Sequence, residues 1–307
     1  MTLAVAASMS AVVARANATE MGGGIYPNGA EGLYASALPP PGTYWLNYVM
    51  YYEAGRFNDG DGDELIPDFE LSGTIEALRF VHVTDRTLLG ATWAFQVIVP
   101  IVQLSVEAGG VSDSAAGLGD LNIDPIVLGW HGERMHYVFG IDFNIPTAAY
   151  DPLALANIGR NHFNIEPILA VGYLDPTGLE LTAKFMYDFN FRNDEGAVTP
   201  FNPTGAGYRS GQEFHVDFGA GWNFGSWEAG VAGYYYVQTT GDEIDDPVAD
   251  AALDALFDGF RGEVLAIGPS ARLAVDGFQM IATWQHEVFS AYKPEGDRFW
   301  FKTVLRF

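Results

Sequence analysis

Apolar and polar residues alternate with a period of two along many segments of about ten residues in this chain. Between Glu180 and Asn190 every second residue is apolar or aromatic, and the residues between them are mostly polar. The segments from His136 to Ile145 and from Glu213 to Trp222 show the same pattern. Successive side chains of a strand point to opposite faces, whereas a helix would mix these residues on one face. The pattern predicts strands with one face toward lipid and the other toward a polar interior.

Weaker alternation in other segments gives about twelve strands in all, an even number that suits an all-β, transmembrane, antiparallel up-and-down β-barrel. These other segments lie near residues 43–54, 68–83, 89–104, 118–131, 160–174, 226–239, 261–275, 277–289 and 297–307. The second strand is ambiguous because Arg79 falls on the face that carries Ile75 and Ala77. A β-bulge or a position at the membrane interface would account for this.

The connections between these strands alternate between short and long, as in barrels with short periplasmic turns and long extracellular loops. Short turns are predicted around residues 84–86, 132–134, 175–178, 224–226 and 275–277. Longer polar loops are predicted around residues 56–67, 105–117, 147–159, 191–210, 240–260 and 290–296. The first and last strands of the barrel then both have their free ends on the periplasmic side.

The sequence from Val248 to Phe257 predicts a short amphipathic helix in one of the long loops. This helix either covers the barrel mouth as a lid or packs locally.

The chain divides into three predicted parts. Residues 1–18 are apolar and small and end in Ala16-Asn17-Ala18, a pattern that predicts a signal peptide cut before Thr19, although nothing before Arg15 is charged. Residues 19–42 are rich in Gly and Pro and predict a periplasmic N-terminal segment without regular structure, which either stays outside the barrel or enters its lumen as a plug. Residues 43–307 form the predicted barrel.

Composition narrows the possible functions. The chain has no cysteine, which excludes thiolate catalysis and cysteine-ligated metal. Its formal net charge of −24, with only 15 Lys and Arg, disfavours nucleic acid as a partner. No stretch after the predicted signal peptide approaches the roughly 18 consecutive apolar residues of a membrane helix. A chain of this kind spans a membrane only as a closed barrel, which predicts the outer membrane of a Gram-negative bacterium, with lipid and lipopolysaccharide around it.

The last predicted strand ends on Phe307, with Leu305, Phe301 and Phe299 on the same face. A terminal Phe on an amphipathic strand resembles the recognition signal of the barrel-assembly machinery of Gram-negative bacteria. The sequence therefore predicts that this machinery is a partner, unless the strand simply stops there.

The strand phases direct a net acidic set of polar side chains into the predicted lumen. The candidate lumen residues are Asp120, Asp124, His162, Glu166, Lys184, Asp188, Glu213, His215, Asp217, Arg298 and Lys302. Two interpretations fit them. They form a selective constriction whose charges determine what passes, or they pair with one another and brace or close the lumen.

Other chemistry has weaker support in the sequence. Glu213, His215 and Asp217 share one face, as a hydrolase site would require, but no nucleophile can be identified and we predict no catalytic residue. No cofactor or metal is predicted, with one weak calcium candidate. This candidate is formed by Asp59, Asp61, Asp63 and Glu70, which match ligand positions of an EF-hand loop. The loop lacks the glycine that an EF-hand requires, and no helices flank it.

Ordered motifs along nearly the whole barrel resemble the outer-membrane β-barrel family associated with the meta-pathway of phenol degradation. The motifs are residues 39–48, Tyr51-Tyr52, Gly117–Leu121, Leu128–His131, Pro146-Thr147, Tyr150, Asn157–Asn161, Glu166-Pro167, Tyr187–Asn190, Ser210–His215 and Gly233–Tyr236. The resemblance implies a transporter for small aromatic or hydrophobic compounds, with no established ligand residues. A structural or adhesive barrel and, less favoured, an outer-membrane hydrolase are the alternatives.

Overall fold

Antiparallel strands account for most of the residues that the structure describes. The structure is a computed structural model that describes residues 23–275 and 277–307, so the predicted signal peptide lies outside the described residues. The strands are β1 (Gly42–Phe57), β2 (Glu70–Leu88), β3 (Ala91–Ala108), β4 (Val111–Leu118), β5 (Leu121–His131), β6 (Met135–Ile145), β7 (Asn164–Leu174), β8 (Leu179–Asn190), β9 (Tyr208–Arg209), β10 (Glu213–Asn223), β11 (Trp227–Gln238), β12 (Glu243–Ile244), β13 (Glu263–Val275), β14 (Phe278–Ala291) and β15 (Pro294–Arg306). One helix, α1 (Pro247–Phe257), continues into a 3₁₀ turn at Asp258–Phe260.

Among the described residues, thirteen of these strands form a closed barrel whose wall has twelve strand positions. Strands β4 and β5 pair with successive halves of β3 and so occupy one position in the wall. The two-residue strands β9 and β12 pair with each other, outside the barrel. Closure is completed where β1 pairs with both β2 and β15. The predicted fold class, a barrel of about twelve antiparallel strands, is confirmed.

Two predicted connections are wrong. The loop predicted at residues 105–117 is a hairpin, in which β3 continues to Ala108 and β4 returns after Gly109 and Gly110, both at positive φ. Its residues alternate weakly because β4 is mostly exposed. The turn predicted at residues 84–86 lies inside β2, where a β-bulge shifts the register between Val83 and Thr87. The actual turn, at Leu89 and Gly90, has two positive φ angles, as tight hairpins require.

A third connection is shorter than expected. The structure reduces the loop predicted at residues 290–296 to Tyr292 and Lys293, because β14 ends at Ala291 and β15 begins at Pro294. The ambiguity of the second strand is also resolved. The face that carries Arg79 points into the barrel, since its guanidinium contacts residues of the interior, whereas Phe80 is 45% exposed on the outside.

The outer face of the barrel is apolar and aromatic. Leu181, Phe185 and Phe189 of β8 alternate with buried polar residues and are each at least 38% exposed. Trp222 and Trp227 flank the short β10–β11 turn, where aromatic side chains mark a membrane interface. Within the described ranges, no helix is long and apolar enough to cross a membrane.

The extracellular loops form a small core above the barrel. Asp246 caps α1 by accepting hydrogen bonds from the amides of Val248 and Ala249. Leu253 on α1 is buried, and the Phe257 ring packs 4.9 Å from the ring of Phe201. These contacts favour local packing of α1 over the alternative of a free lid.

Candidate functional site

The described part of the N-terminal region, Gly23–Pro41, lies inside the barrel and is called the N-terminal segment below. Near the extracellular end, the carbonyl oxygen of Gly23 accepts a hydrogen bond of 3.2 Å from Lys293 Nζ in the β14–β15 turn. Near the periplasmic end, the Tyr44 hydroxyl donates to the carbonyl of Pro40 at 2.7 Å. Leu38 packs there against an apolar cluster that includes Val83. The N-terminal segment therefore follows the lumen from one side of the membrane to the other.

Acidic side chains of the barrel hold the backbone of the N-terminal segment. One carboxylate oxygen of Asp217 accepts from the Gly29 amide at 2.8 Å, and the other accepts from the Glu31 amide at 2.9 Å and from the Tyr26 hydroxyl at 2.7 Å. Glu180 accepts from the amide of Tyr34 at 2.5 Å. A segment without regular structure needs such partners, because its buried amides have no partner in a strand or helix.

Basic side chains bind the carbonyl oxygens of the same segment. Arg298 Nη1 donates to the carbonyl of Asn28 at 2.8 Å, and Lys302 Nζ donates to that of Ala30 at 2.8 Å. The carboxylate of Glu31, which belongs to the segment, pairs with Arg79 at 2.7 Å and with Lys302 at 3.7 Å. Acidic and basic side chains of the lumen thus both bind the backbone of the N-terminal segment. Three of them, Asp217, Arg298 and Lys302, are among the lumen residues predicted from the sequence.

The other predicted lumen residues are distributed along the same interior. Asp124 is buried and accepts a hydrogen bond from Gln96. Glu166 is buried, and Lys184 Nζ lies 4.6 Å from the centre of the Tyr26 ring.

Asp120 and His162 differ from these because both lie outside the strands. Asp120 accepts hydrogen bonds of 2.8–2.9 Å from the amides of Thr147, Ala148 and Arg160, so it fixes the β6–β7 loop at the rim of the lumen. His162 is buried with Nδ1 2.9 Å from the carbonyl oxygen of Arg160.

Asp188, Glu213 and His215 form a buried cluster on β8 and β10. His215 Nε2 lies 2.6 Å from a carboxylate oxygen of Asp188 and 3.3 Å from one of Glu213. All three side chains are at most 3% exposed. The hydrolase alternative in the sequence analysis placed Asp217 in one site with His215, but Asp217 binds the N-terminal segment instead. The buried His215 also lacks the access that a substrate would need.

The cationic group at the extracellular end of the segment is Lys293. It lies in the β14–β15 turn, and burial lowers the pKa of this amine to about 8, although the carboxylates of Glu213 and Asp242 act in the opposite direction. Its Nζ lies 4.4 Å from the centre of the Tyr236 ring. A partly desolvated cation therefore contacts the first described residue of the N-terminal segment.

The acidic β1–β2 loop does not assemble its predicted calcium ligands. One carboxylate oxygen of Asp59 accepts hydrogen bonds from the amides of Asp61 and Asp63, at 2.9 and 3.0 Å, which makes a local turn. Glu70 begins β2 and pairs in register with Glu107. Among the described residues, the cluster of three or more potential metal ligands lies instead at Asp188, Glu213 and His215. The calcium site stays a prediction without geometric support.

Sequence reasoning missed an apolar part of the lumen. A cavity of about 300 Å³ lies between the N-terminal segment and β1, β2 and β3. We call the interior side chains of these three strands that line it the apolar wall, and they are mainly Met50, Tyr52, Leu71, Ile75, Ala77, Ile98, Pro100, Val102, Leu104 and Val106. Its signal was present in the sequence, because residues 97–102 are apolar at every position instead of alternating. Such a run indicates a strand that is apolar on both faces.

A closed barrel that is apolar outside and largely polar inside defines the class of protein: it is an outer-membrane β-barrel of a Gram-negative bacterium. The chain belongs to the family described as "Putative MetA-pathway of phenol degradation", whose model matches residues 54–303. This confirms the resemblance inferred from the sequence motifs.

A solved structure of an outer membrane channel supports the fold. The COG4313 outer membrane channel from Pseudomonas putida F1 is 15% identical, with 89% of this chain and 98% of that chain covered and a TM-score of 0.77. The translocator domain of the autotransporter NalP from Neisseria meningitidis is 10% identical, with 89% and 91% covered and a TM-score of 0.49. No curated protein matches the sequence.

Proposed function

We propose that this protein is an outer-membrane channel for small aromatic or hydrophobic compounds. The observation that carries the proposal is the cavity of about 300 Å³ along the apolar wall, inside a barrel whose interior is otherwise largely polar. A dry cavity of about 150 Å³ already accommodates benzene in another protein. The space along the apolar wall is therefore large enough for a substituted aromatic ring.

The apolar wall explains why such a solute would be preferred. A wide pore for ions and sugars keeps a polar, hydrated lining, whereas exposed Ile, Val and Met side chains gain when an apolar solute displaces water from them. The family description, which names phenol degradation, and the printed name of the Pseudomonas putida structure, which is that of a channel, both support this function.

The N-terminal segment limits the route to the space along the apolar wall. Below the cavity, Leu38 of the segment closes against Tyr44, Val83 and Val127. A solute therefore reaches the periplasm only when this part of the segment shifts. The protein then works as a gated channel in which the segment alternates between a closed and a displaced position.

The test is single-channel conductance of the refolded protein in planar bilayers, with and without phenol or toluene. The wild-type barrel is expected to give small steps that both compounds block. A variant that lacks residues 23–38 is expected to give much larger steps that they no longer block. Silence of both proteins, with heat-modifiable gel migration that proves a folded barrel, would contradict a channel and favour the structural or adhesive alternative.

The transported class needs a separate readout. Gram-negative cells that express the barrel should take up radiolabelled toluene faster than cells that express the same barrel with Val102→Glu in the apolar wall. Equal uptake, with equal amounts of barrel in the outer membrane, would contradict the apolar wall as the route while leaving a channel for other solutes intact.

Assembly and surroundings complete the proposal. The Phe307 side chain is 77% exposed, and its amide donates to the carbonyl of Thr43 at 3.0 Å, beside the seam between β1 and β15. An exposed aromatic side chain directly after the closing strand β15 supports its use as the signal for the barrel-assembly machinery. Lipopolysaccharide is the proposed neighbour of the extracellular loops.

A further inference from the structure

Three potential metal ligands converge inside the barrel wall. Asp188 on β8 and Glu213 on β10 are direct cross-strand partners, and His215 follows Glu213 on the same face of β10. One ligand atom from each side chain can be chosen so that all lie within 4.8 Å of one another. The ligands therefore sit on two adjacent strands of a rigid sheet, where small side-chain movements suffice to bring them to one ion.

In His215 and Asp188, the polar atom that faces away from the cluster is held by a hydrogen bond, as in known metal sites. His215 Nδ1 is hydrogen bonded to Asn28 Oδ1 of the N-terminal segment. That oxygen can only accept, so Nδ1 carries a proton, and Nε2 is the ring atom directed at the two carboxylates, where a bound ion would replace its proton. The other carboxylate oxygen of Asp188 accepts from Asn164 Nδ2 at 2.8 Å. Metal-bound His and carboxylate ligands are typically oriented by such outer hydrogen bonds.

Two buried carboxylates converge on one imidazole at this cluster. Glu213 Oε2 lies 3.3 Å from His215 Nε2. The hydroxyl of Tyr236, a fully buried residue whose ring lies 5.0 Å from the His215 ring, interacts with the Glu213 carboxylate. Buried charges of this kind are paired or coordinate a metal ion.

We propose that Asp188, Glu213 and His215 bind one divalent transition-metal ion, with Zn²⁺ the best fit. One imidazole and two carboxylates favour Zn²⁺ over Mg²⁺ and Ca²⁺, which prefer sites made only of oxygen ligands. Ligand atoms of a tetrahedral Zn²⁺ lie roughly 3.3 Å apart, given bonds of about 2.0–2.1 Å. The separation of His215 Nε2 from Glu213 is already 3.3 Å, and that from Asp188, 2.6 Å, would lengthen by about 0.7 Å on binding the ion.

The ion would also neutralise two buried carboxylates and fasten the N-terminal segment to the wall. The fastening follows from Asn28, which belongs to the segment and orients His215. This metal site does not depend on the proposed transport function, since a structural barrel could hold the same ion.

Zinc content after refolding is the direct test. The protein is refolded with and without Zn²⁺, passed over a desalting column, and measured for metal by mass spectrometry, with Mg²⁺ and Ca²⁺ as comparison ions. One retained Zn²⁺ per chain is expected, and X-ray absorption should show one histidine among light-atom ligands. Refolding in the presence of the ion is needed because the three side chains are buried.

Variants separate this site from adventitious binding. Glu213→Gln and His215→Gln should lose the retained ion, and Asn28→Ala, which keeps all three ligands, should weaken it by about 10–100-fold. His286→Gln is the matched control, because His286 lies 3.1 Å from Asp297 but is half exposed. Heat-modifiable migration on gels confirms that each variant is folded. Absence of stoichiometric zinc in the wild-type barrel, or equal retention by folded His215→Gln, overturns the proposal.

Discussion

The interior faces of β1–β3 and of β7, β8 and β10 belong to one closed sheet, yet they differ in chemistry. The apolar wall faces the cavity with side chains such as Ile75, Ile98 and Val102. The opposite strands present buried charged groups, among them Asp188 and Asp217, and we call their interior faces the polar wall. Barrel interiors are usually polar throughout. The difference therefore separates two tasks within one lumen.

The N-terminal segment makes this separation possible. Its backbone has no regular structure, so its amides and carbonyls need partners, and the polar wall with Arg298 and Lys302 supplies them. Among the described residues, the hydrogen bonds from β1 and β2 to the segment come from Tyr44, Tyr48 and Arg79, beside the apolar wall and not from its members, and the cavity remains on that side. A hydrogen bond to a charged group contributes about 1.5–3 kcal/mol, so a few of them hold the segment firmly without preventing its movement.

The largest effect is expected from Asp217→Ala in the polar wall. The change removes the acceptor of three hydrogen bonds, from Tyr26 and from the amides of Gly29 and Glu31. Each buried amide left without a partner costs about 1–3 kcal/mol, which destabilises the docked position of the segment. The open probability in planar bilayers should rise by at least about tenfold, since about 1.4 kcal/mol corresponds to a factor of ten.

A matched variant distinguishes the lost acceptor from the lost side chain. Asp217→Asn keeps one acceptor oxygen and nearly the same volume, so its open probability should lie between those of the wild-type barrel and Asp217→Ala. Conductance traces of Asp217→Ala that cannot be told from wild type would show that the segment is not held by the polar wall.

A smaller effect is expected from Val102→Glu in the apolar wall. Val102 pairs in register with Ile75, and both line the cavity. A carboxylate there keeps water in the cavity and lowers the affinity for an apolar solute by roughly tenfold, or about 1.4 kcal/mol. The measurement is the toluene concentration that halves the conductance. Val102→Leu is the control and should leave it nearly unchanged, and the same value for both variants would argue against binding at this wall.

The strands were predictable because their signal is local. On the polar side, buried charges alternate with lipid-facing apolar residues, so Glu180 to Asn190 shows its two faces directly in the sequence. On the apolar side both faces carry the same kind of residue, and the period disappears. That is why Arg79 made the second strand ambiguous and why the apolar wall was not predicted.

The candidate site was only partly predictable because its contacts are distant in sequence. The bond from Glu31 to Asp217 joins residues 186 positions apart, and a Gly- and Pro-rich segment carries no period that would show its path. Glu213 and His215 could be placed on one face of a strand. Their neighbour Asp188 required the register of β8 against β10 across the intervening loop, which the alternation alone does not determine.

The smallest effect concerns the periplasmic turns below the two walls. Below the apolar wall, the β2–β3 turn forms through positive φ angles at Leu89 and Gly90, whereas below the polar wall the β7–β8 turn is built around Asp175. Hydrogen bonds from the Thr177 hydroxyl, the Tyr173 hydroxyl and the Thr177 amide lower the pKa of the Asp175 carboxyl to about 2.

Because the folded pKa lies below the unfolded value near 3.9, the Asp175 carboxylate stabilises the turn above that value. This contribution is lost as the pH falls toward 2. NMR titration of the protein in detergent should show a pKa of about 2 for the Asp175 carboxyl. Thr177→Val removes the hydroxyl hydrogen bond that lowers this pKa most, so the pKa should rise in that variant. Since Asp175 still accepts the hydrogen bond of 2.7 Å from the Tyr173 hydroxyl in that variant, thermal stability at neutral pH should barely change. If the pKa of Asp175 is the same in Thr177→Val as in the wild-type protein, the Thr177 hydroxyl does not hold the Asp175 carboxylate in this turn.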